Sequence, residues 1–243
     1  MLRCMKAEHR LIAGICVIAA LSSMFLLRLN HSGAVPAGVH CNGRTAYRPV
    51  IDAGHGGDDG GAVSLSGMYE STLNLDISQK IQLIFALFGI DPVMTRESDT
   101  IAYPEDAATV RQRKVADQKA RVALINSVSD AYLLSIHQNY YPSAGPFGAQ
   151  TLYAPTDESR EFALFLQDQL VTGLNPDNYR SASQISGDIY LMNQVRCPAV
   201  LIECGFLSNP AEEALLKTEC YRLKLAVLIT AGFLRFHAQA NPV

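Results

Sequence analysis

The sequence predicts an α/β domain: a twisted, mostly parallel (mixed) sheet of about six strands with helices on both faces. Two observations predict it. Short apolar runs alternate along the chain with longer stretches of helical periodicity, the pattern of strands joined by crossover helices. Three of the runs also stop at a polar residue or a glycine-rich turn, so parallel strands would bring those residues to one edge of the sheet.

In chain order, Tyr47 to Asp52 reads as a strand that stops at the turn Ala53-Gly54-His55-Gly56-Gly57. Glu70 to Phe88 reads as a helix, with Leu73, Ile77, Ile81 and Ile84 at helical spacing and Lys80 and Gln82 off that face. This stripe is better explained by core packing than by a binding surface. Gly89 to Arg96 reads as a strand and Glu105 to Val128 as a helix. Ala131 to Ile136 forms a strand closed by His137, and Gly148 to Ala154 forms another. Asp157 to Val171 is helical, Ala199 to Ile202 is a strand closed by Glu203, and Ala211 to His237 is helical with a break near Thr218.

The polar residues at the strand ends suggest a chemistry. Two neutral imidazoles and one carboxylate, with a fourth position left for water, form the open tetrahedral set of catalytic zinc, whereas magnesium or calcium would draw mostly oxygen ligands. His55, Glu70 and His137 fit that set, and Glu203 is placed to take a proton from water and hand it to a leaving group. Taken singly, each residue has a structural reading as well. A histidine after a strand is commonly a satisfied turn residue, and Glu70 in the first helical turn is explained by the helix dipole. Glu203 follows Val200-Leu201-Ile202 directly, so its carboxylate should be partly buried and need a partner. Cys204 reads as a buried thiol rather than a nucleophile. The zinc hypothesis therefore rests on the combination.

Composition sets outer limits. The chain has 243 residues, 49% hydrophobic and 18% charged, enough for one sizeable core and without a repeat or low-complexity tract. A net charge of -3 argues against nucleic acid as a partner, because phosphate neutralisation needs a basic surface. Residues 1–10, with Arg3, Lys6 and Arg10, read as a basic cytoplasmic start, and 11–28 read as a transmembrane signal-anchor. The apolar run is longer than the roughly 7–15 residues of a cleaved signal peptide, which favours an uncleaved anchor with the rest of the chain outside the cell membrane. Ile15 before Cys16 argues against lipoprotein processing. Residues 29–45, with Gly33, Pro36, Gly38 and Gly43, read as a linker, and 46–240 as the catalytic domain. Cys41, Cys197, Cys204 and Cys220 show no metal-type spacing, and no disulfide is assigned to them.

Four segments together carry a resemblance. Ile51-Asp52-Ala53-Gly54-His55-Gly56-Gly57-Asp58-Asp59-Gly60-Gly61-Ala62, Met94-Thr95-Arg96, Ser135-Ile136-His137-Gln138-Asn139 and Glu203-Cys204-Gly205-Phe206-Leu207-Ser208-Asn209-Pro210 resemble, in order, the motifs of the zinc-dependent N-acetylmuramoyl-L-alanine amidases. The likeness runs from about Tyr47 to Phe236, and Ala53 stands where many members have proline. It implies one zinc per chain held by His55, Glu70 and His137, with Glu203 as the catalytic glutamate. It also implies hydrolysis of the amide bond between the muramic acid lactyl group and the L-alanine of the peptide stem in peptidoglycan.

Val110 to Val122, Phe147 to Tyr153 and Asp188 to Leu191 are further similar to the sporulation, germination-specific branch, which implies a role in spore cortex and muramic δ-lactam formation. The charged stretch within Val110 to Val122 has the alternative reading of a solvated helix face. Asn139, Gln150 and Arg121 are expected either to contact substrate or to brace the site. A vegetative cell-wall amidase, a zinc carboxypeptidase and a non-catalytic peptidoglycan-binding protein stay open as alternatives, as does the need for an accessory protein.

Overall fold

A computed structural model describes residues 47–240. The basic start, the signal-anchor and the linker, with Cys4, Cys16 and Cys41, lie outside the described residues. Among those that are described, no helix is long and apolar enough to cross a membrane.

The elements in chain order are β1 (Arg48–Ala53), α1 (Glu70–Leu87), β2 (Val93–Met94), α2 (Val110–Ser127), β3 (Ala131–Asn139), β4 (Gln150–Tyr153), α3 (Asp157–Leu174), β5 (Ser183–Gln184), α4 (Tyr190–Gln194), β6 (Ala199–Phe206), α5 (Pro210–Leu216) and α6 (Glu219–Ala240). The sheet has six strands in the order β2-β1-β3-β6-β4-β5. β1, β2, β3 and β6 are mutually parallel; β4 runs antiparallel to β6, and β5 parallel to β4.

The pleat sorts the strand residues into two cores. Ile51, Leu134, Ile136, Val200 and Ile202 face the layer of α1, α3 and α6, where Ile77, Phe85, Leu166 and Phe233 pack against them. Val50, Leu133 and Leu201 face the other way and are covered by Ile125 of α2 and Leu191 and Met192 of α4. Helices therefore cover both faces, as the near-continuous apolar runs require.

Several boundaries differ from the sequence reading, each for a local reason. His137 and Glu203 do not close their strands: β3 runs on to Asn139 and β6 to Phe206, with the register shifting between His137 and Asn139. The strand expected over Gly89 to Arg96 contracts to Val93–Met94, since Pro92 has no N–H for a ladder. The helix expected from Glu105 begins at Val110, because Thr109 and Gln112 form a capping box that sets the start. The break near Thr218 divides α5 from α6, where the Thr218 hydroxyl donates to the Leu215 carbonyl at 2.7 Å. β5 and α4 have no counterpart in the sequence pattern, since both are shorter than any periodicity window.

Beyond Ala53 the chain leaves the sheet, and two buried guanidinium groups take up the carbonyls of the turn. Arg96 donates through Nε to Ala53 O at 2.8 Å and through Nη2 to Gly54 O at 3.1 Å. From α2, Arg121 donates through Nη1 to Ala53 O and through Nη2 to His55 O, both at 2.7 Å. The same Nη1 meets Asp52 Oδ1 at 2.8 Å, and Ser135 Oγ donates to Asp52 Oδ2 at 2.6 Å, across the β1–β3 register. Burial alone would raise the Asp52 pKa; Arg121 and the Ser135 hydroxyl overcome it and bring it down to about 2.

A depressed folded-state pKa contributes stability above the ordinary value of 3.8, and that contribution is lost as pH falls towards 2. Asp52→Asn should therefore cost about 3 kcal/mol at pH 7, since it removes the more deeply buried of the two carboxylates, Asp52 and Asp117, that pair with the buried Arg121. The deficit should shrink by roughly 2 kcal/mol between about pH 4 and pH 2. Denaturant midpoints of the full chain in detergent measure both values, and a deficit unchanged across that pH window would contradict the pairing.

Candidate active site

The turn after β1, the start of α1 and the ends of β3 and β6 converge at one cleft of 460 Å³. His55 enters it from the turn in the left-handed backbone region, with φ at 60°. Glu70 is the first residue of α1, and His137 and Glu203 are register partners on adjacent strands. The donor atoms of His55, Glu70 and His137 all lie within 4.8 Å of one another.

Glu70 sits between the two imidazoles. Its Oε2 is 3.3 Å from His55 Nε2 and its Oε1 is 3.0 Å from His137 Nδ1. The Ala62 N–H donates to Oε2 at 2.9 Å and the Gln138 N–H to Oε1 at 3.0 Å. Burial opposes ionisation, but the hydrogen bonds from His137 and His55 drive the Glu70 carboxyl well below the usual carboxylate range. The site thus holds a fixed anion between two nitrogen donors, and the set suits a metal cation of the borderline class.

Two glycines keep this space open. A Cβ on Gly54 would stand 2.3 Å from His137 Nε2, and one on Gly61 would stand 2.6 Å from Glu70 Oε2. Gly61 also has φ at +68°, which disfavours any side chain there.

Glu203 faces a different environment. It is half-buried, yet its Oε2 is buried without a hydrogen-bond partner. Burial raises its pKa to about 7, partly offset by His137. A carboxyl poised near neutrality beside a cluster of nitrogen and oxygen donors can take up and release a proton, which is what acid–base catalysis needs. Cys204, next in the chain, is fully buried and its thiol is pushed far up by that burial, so it offers no thiolate. Cys197, Cys204 and Cys220 are all free.

The remaining expected residues separate. Asn139 lines the cleft. Arg121 stands in the α2 wall, but its guanidinium is committed to Asp52, Asp117 and the turn carbonyls, so its bonds are those of a brace. Gln150 pairs with Glu203 across the β4–β6 register, accepts hydrogen bonds from Arg180 and donates to Ser181 O at 2.9 Å, tying down the 180–183 segment.

Asp59, to which the motif assigns no role in the sequence, accepts from His55 Nδ1 at 2.9 Å. That bond orients the ring and leaves Nε2 facing Glu70. The available signal was a carboxylate four residues after a candidate ligand in the same glycine-rich turn.

A family model for N-acetylmuramoyl-L-alanine amidase matches residues 50–235. The germination-specific N-acetylmuramoyl-L-alanine amidase of Bacillus subtilis is 37% identical over 211 residues, which cover 86% of this chain and 86% of that protein. The solved structure of the CwlD amidase from Clostridioides difficile, in complex with the GerS lipoprotein, superposes with a TM-score of 0.76 at 33% identity. It covers 80% of this chain and 100% of the CwlD chain. A second amidase structure, from Clostridium difficile 630, has a TM-score of 0.69 at 31% identity over 81% of this chain and all of its own. With the family model spanning both strands and helices of the site, the chain belongs to the N-acetylmuramoyl-L-alanine amidase family.

Proposed function

We propose that this peptidoglycan amidase holds one zinc ion through His55, Glu70 and His137, uses Glu203 as its acid–base group, and acts in spore cortex. The observation that carries the mechanism is the buried, unpartnered Oε2 of Glu203, one strand from His137 and beside the three-donor cluster. When bound there, zinc would supply the Lewis acidity that polarises the lactyl carbonyl and acidifies a water.

The protein's own residues do the rest. Glu203 removes a proton from the attacking water as its oxygen adds to the carbonyl carbon. The carbon–nitrogen bond then breaks, and Glu203 returns the proton to the departing L-alanine amine. Asp59 holds the ring of His55 and Arg121 holds its carbonyl, so the first ligand arrives already oriented. Asn139 is the candidate for substrate contact. The same reading places the domain outside the cell membrane, tethered by residues 11–28. The similar CwlD amidase, whose structure is in complex with a lipoprotein, supports such a setting. The germination-specific relative supports the cortex role.

Digestion of purified cortex tests the reaction: an amidase exposes L-alanine amino termini on released stems. Release of carboxyl-terminal amino acids would point to a carboxypeptidase, and no release would point to a binding protein. In that assay Glu203→Gln should keep its zinc and lose roughly 10²–10⁴-fold in turnover. Glu70→Gln should lose activity together with zinc occupancy, and recover part of it when zinc is added. If Glu203→Gln loses its metal and Glu70→Gln retains it, the two roles are exchanged.

Deleting the protein should leave vegetative growth intact, while cortex muropeptides lose muramic δ-lactam and spores fail to complete germination. Normal δ-lactam with chained, unseparated cells would assign it instead to vegetative cell separation.

A further inference from the structure

We propose that Lys114 is a positioning residue for the metal centre, acting through Asp59 to hold the His55 ring in its ligating orientation. The inference rests on the assignment of His55 as a ligand and extends it to a residue outside the cleft's reacting groups.

His55 needs such support. It is a non-glycine residue with φ at 60°, a backbone region that costs an L-residue free energy unless its surroundings hold it. α2 holds it at both ends. Arg121 takes the His55 carbonyl at 2.7 Å. Two helical turns earlier and on the same face, Lys114 Nζ lies 2.9 Å from Asp59 Oδ2, the oxygen that also receives His55 Nδ1 at 2.9 Å. A single carboxylate oxygen therefore joins the helix to the imidazole.

The neighbouring residues repeat the arrangement. Arg113 pairs with Asp58, so two consecutive cations of α2 engage two consecutive aspartates of the turn. Asp59 Oδ1 accepts one long hydrogen bond, 3.4 Å, from the Gly61 N–H, while its Oδ2 is shared by Lys114 and His55. Loss of Lys114 removes one of the two groups that hold Oδ2 in place.

Charge alone predicts the opposite of this role. Removing an ammonium group near a cation site strengthens cation binding, because a like charge is taken away and Asp59 is left more negative. A positioning role predicts weaker binding, because the ligand loses its orientation. The sign of the change in zinc affinity therefore separates the two.

The test measures zinc dissociation constants of the full chain in detergent by competition with a chelator. Lys114→Ala should weaken zinc binding by about 3-fold, less than the roughly 10–100-fold of a direct partner of a metal ligand, because Lys114 acts through Asp59 and its side chain is 46% exposed. Lys114→Arg should restore it, and Lys119→Ala, which removes an exposed cation from the same helix, should not weaken it. Asp59→Asn should weaken binding at least as much as Lys114→Ala, and adding Lys114→Ala to Asp59→Asn should cause no further loss.

Unchanged or tighter zinc binding in Lys114→Ala overturns the proposal, and so does an undiminished Lys114 effect in the Asp59→Asn background. His55→Ala serves as the reference. If it leaves zinc binding intact, the ligand assignment itself fails; if it abolishes binding while Lys114→Ala does not weaken it, only the role of Lys114 fails.

Discussion

The site depends on where the carbonyls at the end of β1 find their donors. Beyond Ala53 the chain turns out of the sheet in a glycine-rich loop, and a buried carbonyl without a donor costs of order 1–3 kcal/mol. Arg96 and Arg121 supply those donors from two sides and converge on Ala53 O. Neither guanidinium could stay buried without such a set of acceptors, and Asp52 and Asp117 give Arg121 its counter-charges. One network thus explains why a loop rich in glycine holds a histidine in the left-handed region, and why α2 is docked against the far side of the sheet.

The charges of the cleft follow from that framework. Two carboxylates lining the same cleft titrate in opposite directions for a physical reason. Glu70 lies against two imidazole nitrogens, accepts from two backbone N–H groups and stays ionised. Glu203 is desolvated with one oxygen unpartnered, and its proton is held to about pH 7. Environments that separate the pKa values of neighbouring carboxyls are how a site assigns one to hold charge and the other to move protons.

The end of β6 is secured by an independent set of bonds. Asn209 caps α5, accepting from the N–H groups of Ala211 and Glu212. Glu212 then accepts from the N–H groups of Phe206 and Gly148, both at 2.8 Å, and Glu213 accepts from the Ser66 N–H and hydroxyl. The short helix after Glu203 thereby ties together the strand that carries it, the segment leading to β4 and the loop leading to Glu70. This accounts for the run Leu207-Ser208-Asn209-Pro210 following the glutamate so closely.

The sequence by itself determined the class of fold, the alternation of strands and helices, and the identity of the residues that meet in the cleft. It could do so because apolar periodicity and turn chemistry are local, and because His55, Glu70, His137 and Glu203 each stand where a local pattern changes. Only the tertiary structure decided what those residues touch. That Arg121 braces a turn 66 positions away, that Gln150 ties down Arg180, and that Asp59 links Lys114 to His55 are consequences of strand order and helix docking. The capping box at Thr109 and the short β5 and α4 were likewise hidden, since a few residues of structure leave no period to read. Long-range hydrogen bonds have no signature in spacing; they exist only once the sheet has brought separate stretches of chain to one edge.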